Sequence, residues 1–377
     1  MKFILKLVIA MLNLIFAVMK LLPVRDKVTF ISRQSNDKSD DMKLLEAELK
    51  TKAPDITVVF LCRKFDGNVF HKLLYCFHIF RQMYHIATSR VVVLDSYCAA
   101  VSILKQRQSL TVIQMWHALG ALKRFGFSIV GEGEGRSRSL AELLSMHRNY
   151  TYVLTSSYEC LPYFAEAFGY EKESMRVMTL PRVDYLTNDE FYKKTVSRIY
   201  AKYPFLAEKK TVVYAPTFRK GKDISKEIDE LASKFDKDTY TFVVKKHPLM
   251  EVNCKDCLVD NDFSTMEMLM AADCVICDYS AVIFEAAILK KPLFFYTFDY
   301  EEYGVARNFY IDYMKEMPGF ISGDASKIAE AIREERWDLK IVEDFSHKYV
   351  EKHRNCSRDF AELIIKECRS KKNKGEG

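Results

Sequence analysis

A chain of 377 residues is longer than one ordinary hydrophobic core organises, so two domains are expected. With 49% hydrophobic and 29% charged residues, 13 Gly and 9 Pro, the composition excludes disorder and fibrous repeats. The net charge of +6, joined by 26 Phe and 21 Tyr, suits polyanionic ligands and bilayer headgroups, whereas the lack of a concentrated basic helix argues against nucleic acid.

Residues 1–22 are apolar except for a few positions such as Lys2, Lys6, Asn13 and Lys20, which fall on one stripe of a helix. The pattern predicts an amphipathic helix lying flat in a membrane interface, with Leu5, Leu7, Val8, Met11, Leu12, Ile15, Phe16 and Met19 among acyl chains and the lysines at anionic headgroups. A spanning helix would set Lys6 and Asn13 in hydrocarbon, and no small-x-small cleavage site favours a signal peptide. A second stretch, His71 to His85, mixes basic and aromatic residues at helical spacing; it fits a core helix with one wet face or a second membrane or acceptor contact.

Runs rich in β-branched residues at Val28–Ser32, Ile56–Leu61, Val91–Asp95 and Thr111–Met115 alternate with helical patterns near 41–51, 70–87 and 99–106, predicting a parallel sheet covered on both faces. The run Gly131 to Ser139 reads as a flexible loop and a candidate lid. The rhythm restarts at Thr211–Tyr214, Thr241–Lys245, Cys274–Cys277 and Pro292–Tyr296. Pro181-Arg182-Val183-Asp184 and the charged stretch 189–207 mark a hinge. The expected division is therefore an anchor helix over 1–22, a Rossmann-like acceptor domain over 23–185, a Rossmann-like donor domain with closing helices over 186–370, and a solvated tail over 371–377.

Ten cysteines, mostly within apolar runs, point to a reducing compartment. Cys254, Cys257, Cys274 and Cys277 have zinc-site spacing, but Cys274 and Cys277 in one strand face opposite ways, so no metal site is expected there. Asp260-Asn-Asp262 has the form of a metal-binding acidic pair and equally that of a helix cap.

Four stretches that end strands hold the reactive residues, where open α/β sheets place ligands. His117, after the fourth strand, is suited to taking a proton from an attacking hydroxyl. Thr217 and Arg219 offer a hydroxyl and a planar fork for a diphosphate. His247, beside Lys245 and Lys246, can stabilise charge on a phosphate or a departing nucleotide. Asp278-Tyr-Ser280 leads into a helix whose first amides and Ser280 would bind an anion, and Glu285, one turn on, would accept from ribose hydroxyls. Arg182 and Lys123 complete the candidate substrate contacts. No P-loop, Gly-x-Gly-x-x-Gly or Gly-x-Ser-x-Gly is present, which removes the commonest kinase, dehydrogenase and esterase readings.

These stretches, continued by Lys291-Pro-Leu-Phe-Phe-Tyr-Thr-Phe-Asp299-Tyr-Glu301, Arg307-Asn-Phe-Tyr-Ile-Asp-Tyr and Pro318-Gly319, resemble the CDP-glycerol glycerophosphotransferase family of teichoic acid synthesis. Trp-His-Ala-Leu-Gly with Lys123 and Phe125-Gly126 resembles its primase subgroup, while Val183 and Asn308 depart from the usual Asn and Gly. The resemblance implies an α/β GT-B fold of two Rossmann-like domains facing across a cleft, and a peripheral, monotopic position on the cytoplasmic side of the cell membrane. It further implies CDP-glycerol as donor, CMP as leaving group, a polyprenyl-diphosphate-linked saccharide as acceptor and no required cofactor, with divalent-metal dependence left open. His117 and His247 carry over as the catalytic histidines, and Thr217, Arg219, Ser280 and Glu285 as donor contacts. A CDP-ribitol enzyme or a nucleotide-sugar glycosyltransferase of the same fold is the nearest alternative; a membrane-bound nucleotide-binding protein with a degenerate site is the non-enzymatic one.

Overall fold

The computed structural model describes residues 2–64, 69–132, 135–306 and 308–370. Part of the candidate lid, Arg307 and the tail 371–377 lie outside the described residues, as do the side chains of 71–74 in the His71 to His85 stretch.

The chain forms two compact units, one of Met1–Ala118, Phe125–Arg182 and Asn355–Gly377, the other of Leu119–Arg124 and Val183–Arg354. The first holds a parallel sheet of β1 (Arg25–Ser32), β2 (Thr57–Cys62), β3 (Ser89–Leu94), β4 (Thr111–Gln114), β5 (Tyr152–Thr155) and β6 (Met175–Val177), in the order β2-β1-β3-β4-β5-β6. Strands β1 and β3 are almost wholly buried, which their runs of Val, Phe, Ile and Leu require of a sheet covered on both faces. The second holds β7 (Lys210–Ala215), β8 (Tyr240–Val244), β9 (Leu258–Val259), β10 (Cys274–Cys277), β11 (Leu293–Tyr296) and β12 (Phe320–Ser322), in the order β12-β11-β10-β7-β8-β9. Its core gathers Val212, Tyr214, Ile228, Ile276, Phe294 and Ile328. In each sheet the order reverses once, at β1/β3 and at β7/β10, and the carboxyl ends of the strands there are where sheets of this kind take ligands. The α/β class expected from the sequence, with two Rossmann-like units, is the observed one.

The division departs from the sequence expectation in two places. Helix Cys356–Ser370, expected to close the second domain, packs on helix Asp40–Lys52 and on β1 and β3 of the first. Its Glu367 accepts hydrogen bonds from Thr111 Oγ1 (2.9 Å) and Tyr152 Oη (3.0 Å). The short segment Leu119–Arg124 belongs to the second unit, where the backbone of Arg124 donates to Asn308 O and Tyr310 N donates to Leu122 O.

The N-terminal helix Lys2–Met19 is long and apolar enough to cross a membrane by length and composition. Its polar stripe, expected at headgroups, partly turns inward instead. Asn13 donates to Ile103 O (3.1 Å) and accepts from Lys105 N (2.8 Å), and Lys20 Nζ donates to Lys105 O (2.9 Å). These bonds satisfy backbone groups at the end of helix Ala99–Ile103 that have no partner within it. Phe16 is consequently buried, while Phe3, Ile4, Leu7, Val8, Met11, Leu14 and Val18 stay exposed. Lys2 and Lys6 remain at the surface.

Gly126 sits in a tightly closed part of the first unit. Its φ is +60°, and a Cβ there would lie 2.1 Å from Ala167 O. Gly126→Ala is expected to destabilise the protein by about 1–3 kcal/mol, since backbone has to move to relieve the overlap; urea unfolding measures it.

Candidate active site

His117 leaves β4 through a strained turn. Trp116 has φ +62°, a left-handed conformation that a bulky residue adopts only when held. Its N–H donates to Gln114 Oε1 (3.0 Å), and Gln114 Nε2 donates to Ser96 O (3.2 Å). Its indole stacks on Phe125 (4.9 Å) and meets Phe168 edge-on (5.2 Å). The result is a half-buried His117 ring against the indole (4.1 Å), with Nδ1 2.9 Å from Asp95 O. A carbonyl only accepts, so Nδ1 carries the proton and Nε2 the lone pair. Gln34 lies 3.2 Å from the same nitrogen, and its carboxamide can join only by presenting its oxygen. Burial lowers the pKa to about 4; the Asp95 carbonyl opposes this and the Arg182 charge adds to it. His117 is therefore a neutral base at physiological pH. Chemistry that depends on it is expected to be lost only as pH falls through about 4, not near the ordinary histidine value of about 6.5, which a pH profile of kcat/KM tests.

His247 sits in the second unit, in the loop leaving β8. It is exposed and stacks on Phe218 (5.4 Å). Leu249 N–H donates to its Nδ1 (3.2 Å). A backbone N–H only donates, so the neutral ring carries its proton on Nε2, the reverse of His117. The adjoining cleft of about 600 Å³ is lined by Phe218, Lys222, Ile224, Leu249, Met250 and Val252. Lys245 is buried and spent: its Nζ donates to Asp260 Oδ2 (2.6 Å) and Phe263 O (2.5 Å).

Thr217 and Arg219, expected to grasp a diphosphate, are built into the scaffold. The Arg219 side chain is 5% exposed; its fork donates to Asp299 from Nε (2.6 Å) and Nη2 (2.9 Å), while Nη1 donates to Asp278 Oδ2 (2.8 Å) and Thr217 O (2.7 Å). Thr217 donates from both N and Oγ1 to Asp278 Oδ1 (2.9 and 2.6 Å). The guanidinium also lies near the rings of Tyr279, Phe298 and Tyr303. Burial alone would raise the pKa of Asp299, but the bond and charge of Arg219 hold it below the usual carboxylate range. Asp278 thus ties β7 to β10 across the switch point, with Arg219 holding its carboxylate. Asp299, read only as part of a motif, is the partner that sequence spacing alone could not supply, since it lies 80 residues away.

Ser280 is half-buried and precedes the helix Val282–Ile288, with Val282 N 3.4 Å from its Oγ. Glu285 lies on that helix and is buried.

Residues 14–359 match the family model described as CDP-Glycerol:Poly(glycerophosphate) glycerophosphotransferase. The chain belongs to this family. Among relatives of this glycerophosphotransferase family member, the teichoic acid ribitol-phosphate primase of Bacillus spizizenii is 33% identical over 88% of each chain. The teichoic acid glycerol-phosphate primase of Bacillus subtilis is 28% identical over 72% of this chain and 73% of its own. In fold, the wall teichoic acid polymerase TagF, as a histidine variant soaked with CDPG, aligns with TM-score 0.76 at 19% identity over 98% of each chain.

The remaining candidates of this family member are placed as follows. Arg182 donates from its backbone N (2.7 Å) and Nε (2.9 Å) to the buried Asp41 carboxylate, and from Nη2 as well. That fixes the last residue of the first unit before the chain crosses to the second. Lys123 donates to Tyr303 Oη (3.1 Å) and pairs through its backbone with Phe309. Asp260 of the acidic pair is engaged by Lys245, and Tyr203 Oη approaches Asp260 (3.0 Å) and Asp262 (2.6 Å). Of the four cysteines with zinc-site spacing, Cys254 and Cys257 are joined as a disulfide with Cα atoms 5.8 Å apart, within bonding reach.

Proposed function

We propose that this protein transfers a polyol phosphate from a CDP-activated polyol to a hydroxyl of a lipid-linked saccharide on the cytoplasmic side of a membrane, releasing CMP, in the priming of a teichoic acid or related cell-wall polymer. The acceptor oxygen attacks the phosphorus that bears the polyol; that O–P bond forms as the bond to the CMP oxygen breaks. His117 Nε2 receives the hydroxyl proton, and His247 donates from Nε2 to the charge gathering on the diphosphate. The opposite tautomers of the two rings carry this assignment, because one must accept and the other donate. Asp278, Thr217 and Arg219 fix the strand ends that carry the donor loops, and Ser280, Glu285 and Lys123 are donor contacts. The exposed apolar face of helix Lys2–Met19 supports peripheral attachment.

CDP-glycerol is the donor implied by the sequence motifs. A second reading, CDP-ribitol, is favoured by the 33% identity to a ribitol-phosphate primase against 28% to a glycerol-phosphate primase. Incubation of the purified chain with each labelled CDP-polyol and a lipid-linked acceptor separates them: CMP release from only one names the donor. Release from neither would overturn the transferase assignment.

A further inference from the structure

Helix Val69–Ala87 packs against helix Lys2–Met19, and both carry large apolar side chains in solvent: Phe77, Phe80 and Tyr84 on the first, Phe3, Leu7 and Leu14 on the second. Such exposure over two adjoining helices marks a contact with something apolar. Beside it stand two cations of unusual standing. Arg81 is exposed on the same helix, and Arg63 is half-buried just after β2. Neither guanidinium has a carboxylate partner among the described residues, whereas Arg90, Arg182 and Arg219 in their own surroundings each have one.

Both arginine charges reach His78, which is 7% exposed, lies against the Tyr75 ring (5.5 Å) and whose Nε2 meets no partner among the described residues. Burial first, then these charges, hold the His78 pKa down to about 4. A buried polar nitrogen without a partner, facing positive charge that no described carboxylate offsets, destabilises a protein unless an anion engages it. The place also fits the sheet. Arg63 N donates to Ser32 O at the end of β1, and Gln34, two residues beyond β1, touches His117. The strands being parallel, Arg63, Gln34 and His117 leave the same carboxyl edge of one unit.

We propose that Arg63, Arg81 and His78 bind the diphosphate of the lipid-linked acceptor, with its polyprenyl chain along the exposed apolar side chains of the two helices. The identity of the ligand as acceptor rests on the transferase reading; the binding chemistry does not. Two planar forks match two adjoining phosphates, which a singly charged lipid headgroup does not supply.

The test uses the full chain and neutral phosphatidylcholine vesicles doped either with a polyprenyl diphosphate or with phosphatidylglycerol of equal total charge, without donor. The wild-type chain is expected to co-float with the diphosphate vesicles at least about tenfold more tightly than with phosphatidylglycerol. An Arg63→Gln/Arg81→Gln double variant loses that preference, His78→Gln weakens it several-fold, and Arg63→Lys/Arg81→Lys retains only part of it. Equal binding to both vesicle types, or a folded double variant that keeps the preference, would overturn the site. Because no turnover is read, a chain that releases no CMP can still pass this test, and an active chain can fail it.

Discussion

Replacing His117 by asparagine lowers kcat/KM for CMP release by about 10²- to 10⁴-fold, the range contributed by a positioned general base. The fall should lie in kcat, with the KM for the CDP-polyol changed little, because the residue acts on the acceptor proton. Asparagine keeps a donor for Asp95 O, so the turn at Trp116 survives and the thermal midpoint stays close to that of the wild type. A folded His117→Asn protein that retained more than about a tenth of the wild-type kcat would remove the base assignment. Gln34→Ala, which touches only the far nitrogen of the ring, is expected to have a much smaller effect.

Arg219→Ala gives the largest loss of stability. It leaves Asp278 and Asp299, which are 0% and 5% exposed, without their shared cation. Breaking a buried pair from one side costs about 3–5 kcal/mol, and in a protein of this size the midpoint falls by roughly 5 °C. The outcome also separates scaffold from clamp. A residue that only held the donor's diphosphate would raise the donor KM and leave the midpoint unchanged; the network around Asp278 requires the midpoint to fall. The linkage has a definite sign. Asp299 has a depressed folded pKa, so its share of stability is present above the unfolded value of about 3.9 and lost as pH falls through the folded one.

The sheets were legible where the strands are long or strongly β-branched: Val28–Ser32 and Thr211–Tyr214 lie inside observed strands. The strands β5, β6, β9 and β12 run two to four residues and carry Tyr, Met and Arg among their members, too short for a period to show. The apolar stripe of helix Cys356–Ser370 announces that it packs, but not against which sheet, so its place in the first unit could not be read. His117 and His247 each follow a strand, as their places in the sequence suggested, whereas their tautomers depend on Asp95 O and Leu249 N. A fork at a strand end reads the same in sequence whether it meets a phosphate or, as Arg219 does here, a buried carboxylate. Asn13 misled similarly, since a polar residue on an apolar helix fits water, headgroups or, as here, a neighbouring backbone.

The return of the last helix to the first unit has a consequence for biosynthesis. Every residue of the second unit precedes position 355, so that unit has its full sequence while the ribosome is still extending the chain. The first unit does not. Until Phe360, Ile364 and Glu367 emerge, Thr111 and Tyr152 lack their acceptor and helix Asp40–Lys52 lacks its cover. The later-encoded unit therefore has its sequence complete first, and a chain released before its final helix would hold a finished domain nested within an unfinished one.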